Sequence, residues 1–255
     1  MKEPTRLGDL FWKQIINPNG EIIFEKYWDS FQQENYDYTR IENEYEKYLV
    51  GIGHFFRELK YSILKLPNYI TFLEVYPIPE YISNSGIGDE EYAHYHVSAF
   101  LSNVITLHDF LLKFVDHILR LGIPKKKINW YLLEKNTIYR ETKLFKRLST
   151  YSNDLKEIRE LRNSLIHDLG KKMPMVRYLE LRYHQSFLQL YYEEKKKGEI
   201  KNTKHIAEKF KKHGELLEWV SSTIDMVEKN NEAILNEMIP FILKQNLIFK
   251  LKQET

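Results

Sequence analysis

Helix breakers are scarce in this chain: ten glycines and eight prolines among 255 residues leave long stretches with nothing to stop a helix. Helical periodicity fills those stretches. Tyr45, Tyr48, Ile52, Phe55, Phe56, Leu59 and Ile63 recur every three or four positions and predict a helix from about Ile41 to Lys65. The longest such pattern runs from Tyr92 to Leu121, carries Val97, Phe100, Leu101, Val104, Leu111, Phe114, Val115 and Ile118, and ends at Gly122-Ile123-Pro124. At about 1.5 Å per residue it would be about 45 Å long, and a hairpin partner should follow. A short amphipathic stretch surrounds Trp130. A further helix is expected from about Ser152 to Leu169, stopped by Gly170 and Pro174, and two more from Val176 to Lys197 and Glu215 to Lys244, the last bent at Pro240. Asn17-Pro18-Asn19-Gly20 reads as a turn. Residues 67–90, with Pro67, Pro77, Pro79 and the run from Ser83 to Gly88, read as an extended connection in which Tyr69 to Tyr76 forms a short strand. The expectation is an all-α helical bundle with a long helical hairpin, residues 91–255, preceded by a mainly helical extension, residues 1–90.

Composition narrows the chemistry. The absence of cysteine removes disulfides, thiolate zinc sites and thiol catalysis, and fits a reducing compartment. The N-terminus leads into no apolar signal core, and no run approaches the roughly 18 apolar residues of a membrane span, so the sequence reads as soluble, cytoplasmic and without a membrane partner. Overall charge is nearly balanced at +2, but residues 140–177 hold ten basic residues against five acidic, a local net of +5 that permits a polyanionic partner.

Inside that basic stretch lies Arg162-Asn163-Ser164-Leu165-Ile166-His167: arginine, asparagine, three residues, then histidine, near the end of an amphipathic helix. In this it resembles the HEPN superfamily, helical bundles that often dimerise and many of whose active members cut RNA without metal. The resemblance covers the helical order of residues 92–250 and carries over Arg162, Asn163 and His167. It implies a metal-independent endoribonuclease with no cofactor, a homodimer, RNA as substrate, and a role as a toxin or phage-defence effector with an antitoxin or regulatory partner.

Chemistry independent of the resemblance agrees. Cleavage of RNA at its own 2′-hydroxyl needs a group of near-neutral pKa to move protons and a fixed cation for charge growing on the phosphate. Histidine supplies the first, and the planar donor fork of arginine the second. Asn163 precedes His167 by four residues, on the same helix face, where its amide could orient the imidazole. Arg159, Lys171 and Lys172 are candidate contacts to the RNA backbone. Five residues, however, advance a helix by about 500°, so Arg162 and His167 point about 140° apart, and Arg162 falls inside the apolar stripe of Leu155, Ile158, Leu161 and Leu165. A charge there needs a partner. Either the helix loosens at its C-terminal turn, or the edge of the stripe is a dimer interface and each site draws residues from two subunits; the second is the expectation.

Two other readings compete. His167-Asp168 looks like the dyad of the HD metal phosphohydrolases, with His117 upstream and Asp225 downstream as further ligands, although the fifty-residue interval to His117 is long for that class. A helical binding or scaffolding protein, with the first 90 residues and the tyrosine-rich segment from Tyr178 to Tyr192 as its partner surface, is the non-enzymatic alternative. His94, His96 and His108 read as core or surface histidines, not metal ligands, and Gly51-Ile52-Gly53 and Gly86-Ile87-Gly88 lack a phosphate-binding context.

Overall fold

The computed structural model describes residues 8–20, 22, 40–75, 78–124, 127–136, 139–167 and 203–253. All regular structure among them is helical, as the periodicity predicts. After a helical N-terminal segment from Asp9 to Asn19 come α1 (Glu44–Leu64), α2 (Pro67–Glu74), α3 (Glu80–Ser83), α4 (Asp89–Leu119), α5 (Trp130–Glu134), α6 (Lys143–Asp154), α7 (Lys156–His167) and α8 (Thr203–Gln253).

Local chemistry sets these boundaries. The Asn43 side chain accepts from the backbone N–H groups of Tyr45 (3.0 Å) and Glu46 (3.1 Å), capping α1. Asn129 and Thr142 do the same for α5 and α6. Asp89, Glu90 and Glu91 place negative charge in the first turn of α4, where it complements the exposed N–H dipoles. That helix ends at Arg120, which takes the left-handed conformation (φ 52°) that usually falls to glycine, two residues before the expected stop at Gly122.

Three expectations need correction. Tyr69 to Tyr76 is no strand: Pro67 opens α2 at its first turn, where a missing N–H costs nothing. The single helix expected from Ser152 to Leu169 is two, because Leu155 (φ −85°, ψ 0°) closes α6 and α7 starts again at Lys156. And the helix expected from Glu215 to Lys244 is longer at both ends: α8 runs over 51 residues with Pro240 inside it. The expected helix from Val176 to Lys197 lies outside the described residues. By length and mean hydropathy α4 also passes as a membrane-crossing segment, but 56% of its most apolar window is buried inside the protein, as in a core helix.

The chain divides into two compact units, residues 1–65, 103–157 and 226–255 forming the first and residues 66–102 and 158–225 the second. The first has an aromatic core. Phe11 stacks on Phe56 with centroids 5.1 Å apart, Phe55 stacks on Phe114 at 5.3 Å, and Phe11, Ile15 and Ile16 are fully buried. Each such side chain contributes on the order of 1.5–3 kcal/mol by leaving water. Gly8, at φ 73°, gives its backbone N–H to the Glu232 carboxylate. A Cβ there would sit 2.5 Å from the Phe56 ring. Two polar groups of this unit are tied down: Tyr48 donates to the Ile118 carbonyl (3.3 Å), and the His117 ring stacks on Tyr48 with Nε2 3.0 Å from the Tyr48 carbonyl.

The second unit is built on Leu66, Leu73, Val97, Phe100, Leu101, Ile158, Leu216, Val220 and Ile224, with Tyr69 and Trp219 edge-on to Phe100. Of its described histidines, His94 and His96 are half-buried and His213 is buried. His96 stacks on Phe72 (4.9 Å) and meets Tyr92 edge-on (4.4 Å). Burial pushes the His96 and His213 imidazoles below the ordinary histidine range; for His213 the Leu73 backbone and the Asp89 charge oppose the shift.

Candidate functional site

Helix α7 carries the motif, and its packing decides what each residue can do. Ile158 is buried, Leu161 and Arg162 are half-buried, and Glu160, Asn163 and Ser164 are exposed, so the helix lies with Arg162 at the edge of its apolar face. This is where the stripe geometry predicts a guanidinium in difficulty. Arg162 donates from Nη1 to the Asn163 Oδ1 at 3.1 Å, while its Nε is buried without a hydrogen-bond partner among the described residues. An unpaired N–H at such a position costs about 1–3 kcal/mol. Neighbouring helix residues do not ordinarily face each other, but an arginine side chain is long enough to curl back onto the amide that follows it.

Asn163 gives its carbonyl oxygen to Arg162; its expected pairing with the His167 imidazole falls on a side chain outside the described residues. His167 is the last residue of α7, and its side chain lies outside the described residues, as do Asp168, Lys171 and Lys172. Ser164 returns its hydroxyl to the Leu161 carbonyl (2.8 Å) and so serves the helix. Arg159 is half-buried one turn before Arg162. The signal for an Arg162–Asn163 pair was in the sequence only as adjacency, which helix-face reasoning discards.

Elsewhere the polar groups serve structure. No carboxylate lies within ion-pair distance of Arg162 among the described residues, so the salt bridge to α4 that would have made it a purely structural residue is not found there. His117, the upstream ligand of the metal reading, is occupied by Tyr48. No cluster of three metal-ligating side chains occurs among the described residues. The most enclosed polar group of residues lies in the first unit: Asn231 donates from Nδ2 to the Val227 carbonyl (2.8 Å) and the Tyr151 hydroxyl (3.3 Å), and the His108 ring meets Tyr151 edge-on at 5.4 Å. All three are essentially inaccessible, and burial raises the Tyr151 hydroxyl far above its ordinary pKa. Sequence reading placed His108 among core or surface histidines, and core is what it is.

Comparison with known proteins gives one result. The family model described as HEPN_Cthe2314-like HEPN matches residues 48–238, more than half of the chain and starting well before the residues 92–250 that carry the resemblance in the sequence. No curated protein and no solved structure matches it.

Proposed function

This chain belongs to the HEPN_Cthe2314-like HEPN family, and from that premise we propose that it is a metal-independent endoribonuclease whose reaction centre is built from Arg162, Asn163 and His167. The observation that carries the reading is the state of Arg162: a half-buried guanidinium, steered by Asn163 through Nη1, with a buried Nε that nothing among the described residues engages. A phosphate oxygen is a suitable acceptor for that N–H, since guanidinium and phosphate match in both charge and geometry.

The chemistry follows from those groups. The 2′-hydroxyl loses its proton to a base as its oxygen bonds to phosphorus; the bond from phosphorus to the 5′-oxygen breaks; and a proton passes to that leaving oxygen, leaving a 2′,3′-cyclic phosphate. His167 serves as general base or acid in one of these transfers. Arg162 stabilises the charge that builds on the phosphoryl oxygens, and a fixed cation in such a position contributes about 10²–10³-fold. Asn163 positions the guanidinium. Arg159, Lys171 and Lys172 hold the RNA backbone. Since the helical turn sets Arg162 and His167 about 140° apart on one helix, the complete site takes one of them from a second subunit of a homodimer. A role as a toxin or phage-defence effector, restrained by an antitoxin, would fit such an activity.

Incubating the purified protein with single-stranded RNA in excess chelator, beside His167→Ala, tests this. Cleavage that survives chelator, leaves cyclic phosphate ends and disappears in the variant is the expected result. Cleavage abolished by chelator would point to the His167-Asp168 metal reading, and a stable dimer that cuts no RNA would make the protein a helical binding module. Mixing Arg162→Ala with His167→Ala subunits should restore part of the activity if the site is shared.

A further inference from the structure

A second surface of distinct chemistry lies on the segment carrying α2, α3 and the start of α4. From residue 66 to residue 112 the sequence contains no lysine or arginine, in a chain that has 38 of them. The part of this segment within the second unit holds five carboxylates, Glu74, Glu80, Asp89, Glu90 and Glu91, of which Glu74, Glu80 and Glu91 are exposed. Among them stand large aromatic side chains facing solvent: Phe72 is 43% exposed, Tyr81 74% and Tyr95 69%. They belong to one surface. Phe72 and Tyr95 both contact the His96 ring, and Tyr92, which also contacts it, lies within electrostatic range of Tyr81.

The other exposed tyrosines among the described residues show what is missing here. Tyr61, 56% exposed, carries the Lys65 ammonium 3.8 Å from its ring centroid, and Tyr131, 62% exposed, carries that of Lys135 at 4.1 Å. Each is capped by a cation one helical turn away. Tyr81 and Tyr95 have no such cation among the described residues, and the local sequence cannot supply one. Aromatic faces attract cations, by about 0.5–1 kcal/mol when exposed and about 2 when desolvated. Exposed aromatic faces on a segment that carries carboxylates and no lysine or arginine therefore disfavour nucleic acid and suit arginine and lysine.

We propose that this acidic aromatic surface of the second unit is a docking site for another polypeptide, through a segment rich in arginine or lysine with apolar residues between them. The basic side chains lie over Tyr81 and Tyr95 and pair with Glu74, Glu80 and Glu91; the apolar ones pack on Phe72. The surface is independent of Arg162 and of the RNA chemistry. Its acidity keeps the RNA substrate away while admitting a protein partner, which separates the two kinds of ligand on one molecule.

Fluorescence anisotropy with the full-length protein tests it. The probes are a labelled peptide of alternating arginine and leucine, its counterpart with glutamate in place of arginine, and a labelled single-stranded RNA. The arginine peptide should bind, more weakly as salt rises, and both Tyr81→Ala/Tyr95→Ala and the charge reversal Glu74→Lys/Glu80→Lys/Glu91→Lys should weaken it at least about tenfold. All five side chains are exposed, so circular dichroism should show unchanged helix content. Absence of arginine-peptide binding overturns the proposal, as does binding that both variants leave unaltered or equal binding of the glutamate peptide. RNA binding lost in the tyrosine variant would show that the surface reads nucleic acid and would overturn it equally.

Discussion

The two units of this molecule treat polar side chains in opposite ways. In the first, Tyr48, Tyr151 and Asn231 are enclosed, His117 is half-buried, and all four are joined to one another or to backbone carbonyls, while His108 lies in the core with both ring nitrogens lacking a hydrogen-bond partner among the described residues. In the second, Arg162 keeps a buried N–H without a partner among the described residues, burial lowers the pKa of His96 and His213, and aromatic side chains open to solvent. Unpartnered polarity in the first unit is sealed in the core at His108, whereas Arg162 is a half-buried side chain at the edge of its helix face.

This contrast can be broken by substitutions that should act on activity in one unit and on stability in the other. The largest effect is expected at Arg162: replacement by alanine should lower RNA cleavage by about 10²-fold or more with little change in thermal midpoint, and lysine should recover only part of it because it lacks the planar fork. An Arg162→Ala protein that cleaves normally, or that unfolds several degrees early, would make Arg162 scaffold. Next comes Gly8→Ala, which should destabilise the first unit by about 2 kcal/mol or more, since a left-handed backbone and a crowding phenyl ring both oppose the new methyl group. Urea unfolding measures it. Asn231→Ala should cost about 2 kcal/mol and Tyr151→Phe about 1 kcal/mol in the same assay, with cleavage untouched; loss of cleavage at equal stability would assign that cluster to the chemistry.

The smallest expected effect is a pH response that differs between the units. His96 and His213 titrate below the ordinary histidine value of 6.5 when folded, so the unfolded chain takes up protons first as pH falls. Stability of the second unit should therefore decline as pH drops through that value and level off below the folded values. Burial acts on Asp116 of the first unit in the opposite sense, raising its carboxyl from 3.8 despite the hydrogen bond from the Ile123 N–H; mild acid thus favours its folded form. Amide exchange protection factors compared between neutral and mildly acid solution should fall further for Val97 and Leu216 than for Leu59 and Leu148. Equal losses would dissolve the distinction.

Periodicity revealed the helices well, because apolar residues spaced by three and four dictate which face is buried wherever the segment is long. It failed where chemistry is local. The aromatic run at Tyr69 looked like a strand because β-branched and aromatic neighbours suit both states, and only the proline at its start, as a first-turn residue, argues for helix. The break at Leu155 leaves no trace in composition, since the same leucine continues the stripe of both helices. At the candidate site the sequence located Arg162 and its awkward angle but not its neighbour's service to it. Pairing between adjacent helix positions depends on a rotamer, and a periodic pattern has no access to rotamers.

The buried N-terminal segment bears on how this protein should be handled. Phe11, Ile15 and Ile16 precede the matched family region, and Ile242 and Phe249 follow it, yet all five are core side chains. A chain cut to residues 48–238 would uncover the Phe56 ring, which loses Phe11, and the Tyr48 ring, which loses Phe249. Such a fragment should aggregate, and failure to cleave RNA would then report a ruined interior and say nothing about Arg162.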